Sequence, residues 1–163
     1  MNGPTQAEGR LRGLIGIARA LMQTGDPDDV LSVLLESATR MFAADGASLA
    51  LVDEQTKELA FTAMEGRAKA EPFRIPLGQG ITGHVVETRE PILSNDVAND
   101  TRFYRSADAS TGFKTKAIMC TPVEDRGRVI GALSVLNPRA IEGFTPDDLE
   151  LLGGLAGLAG AAL

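Results

Sequence analysis

At 163 residues the chain has material for one domain with its own core and too little for two, and 44% apolar with 23% charged side chains place it in the globular class rather than the disordered one. A formal net charge of -6 sets a field that repels polyanions, so neither nucleic acid nor an anionic membrane is an expected partner, and the single cysteine, Cys120, excludes an intramolecular disulfide framework. Residues 1–9 (MNGPTQAEG) lack a signal-peptide apolar region and read as a flexible leader to one domain at 10–163, with the cytoplasm as the expected compartment.

In chain order, Leu11, Leu14, Ile15, Ala18, Leu21 and Met22 recur at helical spacing and predict a first helix of about four turns, stopped at Gly25. Asp26 and Pro27 supply an N-cap and a first-turn proline, and Val30, Leu31, Leu34, Leu35, Ala38, Met41 and Phe42 predict a second, broadly buried helix. After Asp45-Gly46 the pattern turns to strands, Ala47 to Val52 and Leu59 to Met64, joined by the polar turn Asp53 to Lys57 as a hairpin. A third short strand, Pro72 to Pro76, feeds the glycine turn Gly78-Gln79-Gly80-Ile81-Thr82-Gly83. The helix Ile81 to Thr88 that follows ends near Arg89, because Pro91 disfavours helix just before it.

A long polar stretch, NDVANDTRFYRSADASTGFKTKAIMCTP, runs from Asn95 to Pro122 and is expected to hold one helical turn near Arg102 to Arg105. Lys116 to Val123 and Arg128 to Asn137 form a second hairpin around Glu124-Asp125-Arg126-Gly127. Thr145, Pro146, Asp147 and Asp148 open the last helix as N-cap, first-turn proline and dipole-facing acids. Gly153, Gly154, Gly157 and Gly160 weaken that helix by ~1 kcal/mol each against alanine, so close packing on the first two helices or on a second copy is expected. Its apolar run, Leu149 to Leu163, contains Glu150 and falls short of the ~20 residues that span a bilayer. This order implies an α+β sandwich: a mainly antiparallel sheet, helices on one face, ligand-covering loops on the other.

GQGITG matches G-x-G-x-x-G, yet Phe103 stands about 20 residues on, where a dinucleotide fold needs an acid, and no Gly-Lys-Ser/Thr follows for a P-loop. Two readings stay open: a tight strand-to-helix turn, or an anion site built from the N–H groups and dipole of a helix start. His84, the only histidine, and Cys120 lack the spaced partners of a metal site or a nucleophile and base. Paired carboxylates, Asp28 with Asp29 and Asp147 with Asp148, sit where helix capping explains them. A binding role rather than an enzymatic one is therefore expected. Tyr104, Asp108, Ser110, Thr111 and Thr115 pack hydroxyls and one acid before an apolar strand, which suits either a lid that orients a small polar ligand or a plain turn around Gly112. Arg102, Arg105, Lys114 and Lys116 are mixed with acids and read as a solvated rim.

These segments resemble the GAF domain family, a family of small sensory domains, from about Leu11 onward: GASLALVD (Gly46 to Asp53), RIPLGQGITGHV (Arg74 to Val85), the Asn95 to Val123 stretch, VIGALSVLNP (Val129 to Pro138) and FTPDDLELL (Phe144 to Leu152). The central stretch is most similar to the cyclic-nucleotide-binding modules of phosphodiesterases and adenylyl cyclases. The resemblance implies a GAF-like sandwich with no catalytic residue and no metal, taking a small anion such as cyclic AMP or cyclic GMP. It implies that Gly80, Ile81 and Thr82 present backbone N–H groups to the phosphate. Tyr104, Asp108, Thr111 and Thr115 would line the lid, with Ser48, Met64 and Glu65 at the base and Ser134 where the phosphodiesterase modules carry an acid. Homodimerisation through the terminal helices and a downstream output domain are implied as well. The alternative is a ligand-independent dimerisation module, or a sensor of another metabolite. The chain departs from the family's signature at Pro138, in place of a lysine, and Leu149, in place of a glutamate. Asn137, Phe144 and Asp148 of that signature remain, and Arg139 is the expected substitute in the lost lysine-aspartate ion pair with Asp148.

Overall fold

Two long hairpins build the centre of the molecule because their apolar residues alternate in register. β1 (Ala44–Asp53) pairs antiparallel with β2 (Glu58–Gly66) and, on its other side, with β6 (Arg128–Pro138). β3 (Phe73–Pro76), β4 (Ile92–Ser94) and β5 (Ile118–Asp125) complete a six-stranded sheet in the order β3-β2-β1-β6-β5-β4, all of its pairings antiparallel. The computed structural model describes residue 3 and residues 5–23 and 25–163, apart from the side chains of Ala107 and Ser110. Met1, Asn2 and Pro4 of the expected leader, and the expected Ser110 hydroxyl, thus lie outside the described residues.

Three helices cover one face: α1 (Gln6–Gln23), α2 (Pro27–Met41) and α5 (Pro146–Ala162). Asp26 caps α2 by accepting from Asp28 N–H, and Thr145 and Asp148 close a reciprocal capping box at the start of α5. Leu34, Leu35, Leu133, Leu152 and Leu155 are buried to 2% exposure or less between these helices and the sheet, each contributing roughly 1.5–3 kcal/mol. Of the four α5 glycines expected to pack closely, only Gly160 does: a β-carbon there would collide with the Glu124 carbonyl, whereas Gly153, Gly154 and Gly157 are exposed. Among the described residues no helix is long and apolar enough to cross a membrane.

The opposite face carries α3 (Gly80–Thr88) and α4 (Arg105–Thr111) over a second core that includes Ile81, Val85, Ile118 and Ala132. Here the structure corrects the expected turn at Arg102 to Arg105. Asp100 Oδ1 accepts the Arg102 backbone N–H at 3.0 Å, and the Arg102 side chain pairs with the same carboxylate at 2.6 Å, which holds 100–102 out of helix. The helix begins only at Arg105 and stops where Gly112 turns left-handed at φ 72°. β4 is also new, a three-residue edge strand just after Pro91.

Candidate functional site

The start of α3 is the first component of the site. Its N-cap, Gln79, is extended and makes no side-chain cap bond, in contrast to the capped starts of α2 and α5. The first helical N–H groups, those of Gly80, Ile81 and Thr82, are thereby left open at the positive end of the dipole. Gly80 is required here, because its φ of 74° is left-handed and a β-carbon would approach Tyr104 Cβ to 3.0 Å.

The sheet supplies the floor. Ser48 on β1 lies directly across from Met64 on β2 and from Ser134 on β6, and Ser134 in turn lies across from Cys120 on β5. Ser134 is 1% exposed, and its hydroxyl has no hydrogen-bond partner. Burial pushes the Cys120 thiol up to about 11; weak contacts from Ser134 and Thr82 pull slightly the other way, and a thiol is too poor a partner to satisfy the serine.

The lid is α4 with its flanks, and its own residues hold it together. Asp108 Oδ1 accepts from Thr115 Oγ1 at 2.7 Å, and Oδ2 accepts from Thr115 N–H at 2.8 Å. Thr111 Oγ1 accepts from Phe113 N–H at 3.2 Å. Below the lid, the Asn137 side chain accepts from the N–H groups of Lys116 and Ala117 and donates to the Lys114 carbonyl, fixing the segment that leads into β5.

These parts enclose a cavity of about 70 Å³. Ser48, Met64, Gly80, Ile81, Thr82, Tyr104, Asp108, Thr111, Thr115 and Ser134 all line it, so the structure brings together residues from β1 to β6 that are far apart in the chain. Glu65 is the exception: it pairs with Ala47, whose side chain belongs to the helix-side core, and strand alternation turns it away from Met64 and the cavity. Sequence reasoning misses the aromatic walls Phe61, Phe73, Phe103 and Phe113. Phe61 and Phe73 stack with centroids 4.6 Å apart and planes at 7°. A bulge opposite Leu49 and Ala50 shifts the phase of β2, so that Phe61 rather than Thr62 shares the face of Met64. Phe103 and Phe113 lie inside the polar stretch, on either side of α4, a signal that was available in the sequence.

The expected substitute for the lost lysine is corrected too. Arg139 lies 3.9 Å from Asp45, whereas Asp148 is paired with Arg10 of α1, whose guanidinium also lies 5.6 Å over the Phe42 ring. Arg10 reaches Asp148 because α1 packs along α2 beside the start of α5.

The GAF domain family model matches residues 24–163. Among curated proteins, the chain is similar to the dual 3',5'-cyclic-AMP and -GMP phosphodiesterase 11 of Drosophila melanogaster, 32% identical over 120 residues that cover 73% of this chain and 8% of the relative. It is also similar to a probable 3',5'-cyclic phosphodiesterase of Caenorhabditis elegans, 31% identical over 136 residues, 76% of this chain and 19% of the relative. The chain therefore spans a small part of the length of both. Among solved structures, the GAF domain of a phosphoenolpyruvate-protein phosphotransferase from Coxiella burnetii superposes with a TM-score of 0.83 at 19% identity, over 97% of this chain and 94% of that one. The free methionine-R-sulfoxide reductase of Neisseria meningitidis, in complex with its substrate, does so with a TM-score of 0.81 at 21% identity, over 99% and 92%. Both likenesses establish the fold.

Proposed function

Since the chain belongs to the GAF domain family, we propose that it is a regulatory sensor module that takes a small anion, a cyclic nucleotide, under α4 and relays occupancy through α1 and α5 at a homodimer interface. The observation that carries this reading is a convergence: the uncapped start of α3 and the unbonded hydroxyl of Ser134 open on one cavity. The first can receive a phosphate, and the second asks for a hydrogen-bonding edge. The similarity to phosphodiesterases named for cyclic AMP and cyclic GMP supports a nucleotide. Titrating each cyclic nucleotide into the purified protein by calorimetry tests the reading, and the absence of heat and of a thermal shift with both ends it.

At about 70 Å³ the cavity is well below the ~300–1,000 Å³ of ligand pockets, so in this reading a nucleotide enters by displacing part of the lining, α4 being the element that covers it. For the relay, α1 exposes Leu11, Ile15 and Met22 at 58%, 44% and 79%, and α5 exposes Gly153, Gly154 and Gly157. A second copy would cover such a stripe.

The small cavity also favours a second reading, a ligand-independent dimerisation module whose pocket is filled by Phe61, Phe73, Phe103 and Phe113. Sedimentation with and without cyclic nucleotide separates the two. A dimer indifferent to ligand, together with silent calorimetry, selects the second.

A further inference from the structure

We infer that the cavity under α4 selects ligands carrying one negative charge over those carrying two, and hence phosphodiesters over phosphomonoesters. This rests on the reading that the cavity takes a nucleotide, and adds a rule for which one.

The rule follows from which charges surround the ligand. The start of α3 offers three open N–H groups and about half a unit of positive charge. Among the described residues no lysine, arginine or histidine lines the cavity, and Asp108 is the one carboxylic acid that does. The cations of the neighbouring polar stretch are directed elsewhere. Arg102 is paired with Asp100 at 2.6 Å, Arg105 donates to the Ala98 carbonyl at 3.4 Å, and Lys114 and Lys116 are exposed outside the lining. His84, one turn into α3, is not in the lining either. Every other polar side chain described there is a hydroxyl, Ser134 unbonded and Ser48 and Thr82 buried, and hydroxyls hydrogen-bond an anion without neutralising it.

The first negative charge of a ligand is met by the helix start. The second meets no cation, shares the cavity with the Asp108 carboxylate, and sits in a protein of net charge -6. Hydrolysis of a cyclic phosphodiester adds water across one P–O bond, leaving one new hydroxyl and a phosphomonoester that loses its extra proton near neutral pH. The cavity thereby tells a cyclic nucleotide from its own hydrolysis product by charge.

The test compares three compounds on one base by calorimetry at pH 8: the cyclic nucleotide, its 5'-monophosphate, and the 5'-monophosphate methyl ester, which is an open-chain phosphodiester with a single charge. The methyl ester is expected to bind about tenfold more tightly than the monophosphate. Equal affinities of those two overturn the inference, since ring shape rather than charge would then select. Silence from all three, the cyclic compound included, overturns the nucleotide reading and this rule with it. As a second arm, Thr111→Lys places a cation at the lid and should raise monophosphate affinity several-fold relative to the cyclic compound. An unchanged ratio in a variant that melts like the parent overturns the rule.

Discussion

Asp108 and Thr115 bond each other twice across seven residues, hydroxyl to one carboxylate oxygen at 2.7 Å and backbone N–H to the other at 2.8 Å. The carboxylate is therefore committed to the lid before any ligand arrives, and its first duty is to set where α4 ends and β5 begins. Asp108→Ala is expected to cost about 1–3 kcal/mol in urea unfolding, because it leaves the buried Thr115 donors unpaired. Asp108→Asn keeps one acceptor and should cost less. Hydrogen exchange of residues 105–117 should quicken in the alanine variant while that of β1 and β6 does not; uniform quickening would refute a local clasp.

Asn137 combines a left-handed φ of 55° with three side-chain hydrogen bonds to residues 114–117. Asn137→Ala should destabilise by about 3 kcal/mol, from the lost bonds and from the strained φ. Asn137→Gly loses the same bonds but accepts that φ, and is expected to be milder by about 1 kcal/mol. Thermal and urea unfolding of the two variants check the order.

The pairing of Arg10 with Asp148 ties α1 to the start of α5, with side-chain exposures of 22% and 14%. Arg10→Ala should cost about 2 kcal/mol, through the lost pair and the lost contact over Phe42. A double-mutant cycle with Asp148→Asn should show coupling of about 1 kcal/mol; additive effects would mean the pair contributes nothing.

Much of the frame is legible because local rules and global fold agree. Asp26 and Thr145 announce α2 and α5 as caps, and the polar turns at Asp53 to Lys57 and Glu124 to Gly127 announce both hairpins. The glycine turn announces the α3 start, and the hydroxyl cluster announces the lid. What stays hidden is set by longer-range events. The bulge in β2 cannot be read from Phe61 and Met64 alone, so the aromatic wall is missed; Glu65, next to Met64 beyond the bulge, is turned to the other face by strand alternation. Arg10 and Asp148 lie 138 residues apart, and no local pattern joins them. α4 is displaced because the Asp100 carboxylate captures Arg102, a contest between side chain and helix that propensity does not decide.

At the β1–β2 turn the Arg74 guanidinium bonds Asp53 at 2.9 Å and holds its carboxyl down at about 2, against an ordinary 3.8. Arg102 holds Asp100 well below the carboxylate range in the same way. A depressed carboxylate stabilises fully above its unfolded pKa, and that contribution is lost as pH falls through the folded one, here between about pH 4 and 2. Carboxyl NMR should show Asp53 titrating near 2 and moving back toward 3.8 in Arg74→Ala. An unmoved titration would break the assignment of cause.

Cys120 gives the opposite limb. Its thiol is held neutral to about 11, while in the unfolded chain it ionises near 9.0, so between those values the unfolded state sheds a proton the folded state keeps. Stability should fall as pH rises through that window, by up to ~1.4 kcal/mol per pH unit, and Cys120→Ala should remove this part of the slope. Alkylation of the native protein at pH 8 should track unfolding.

Ser48 and Ala47 are neighbours on β1, yet one looks into the cavity and the other into the helix-side core; Ser134 and Val135 repeat the arrangement on β6. Each central strand thus carries two interleaved alphabets, one written on the cavity wall and one on the helical layer. Mutational drift in the first can reshape the cavity without editing a letter of the second, so a descendant of this domain could change its cavity and keep its helical packing.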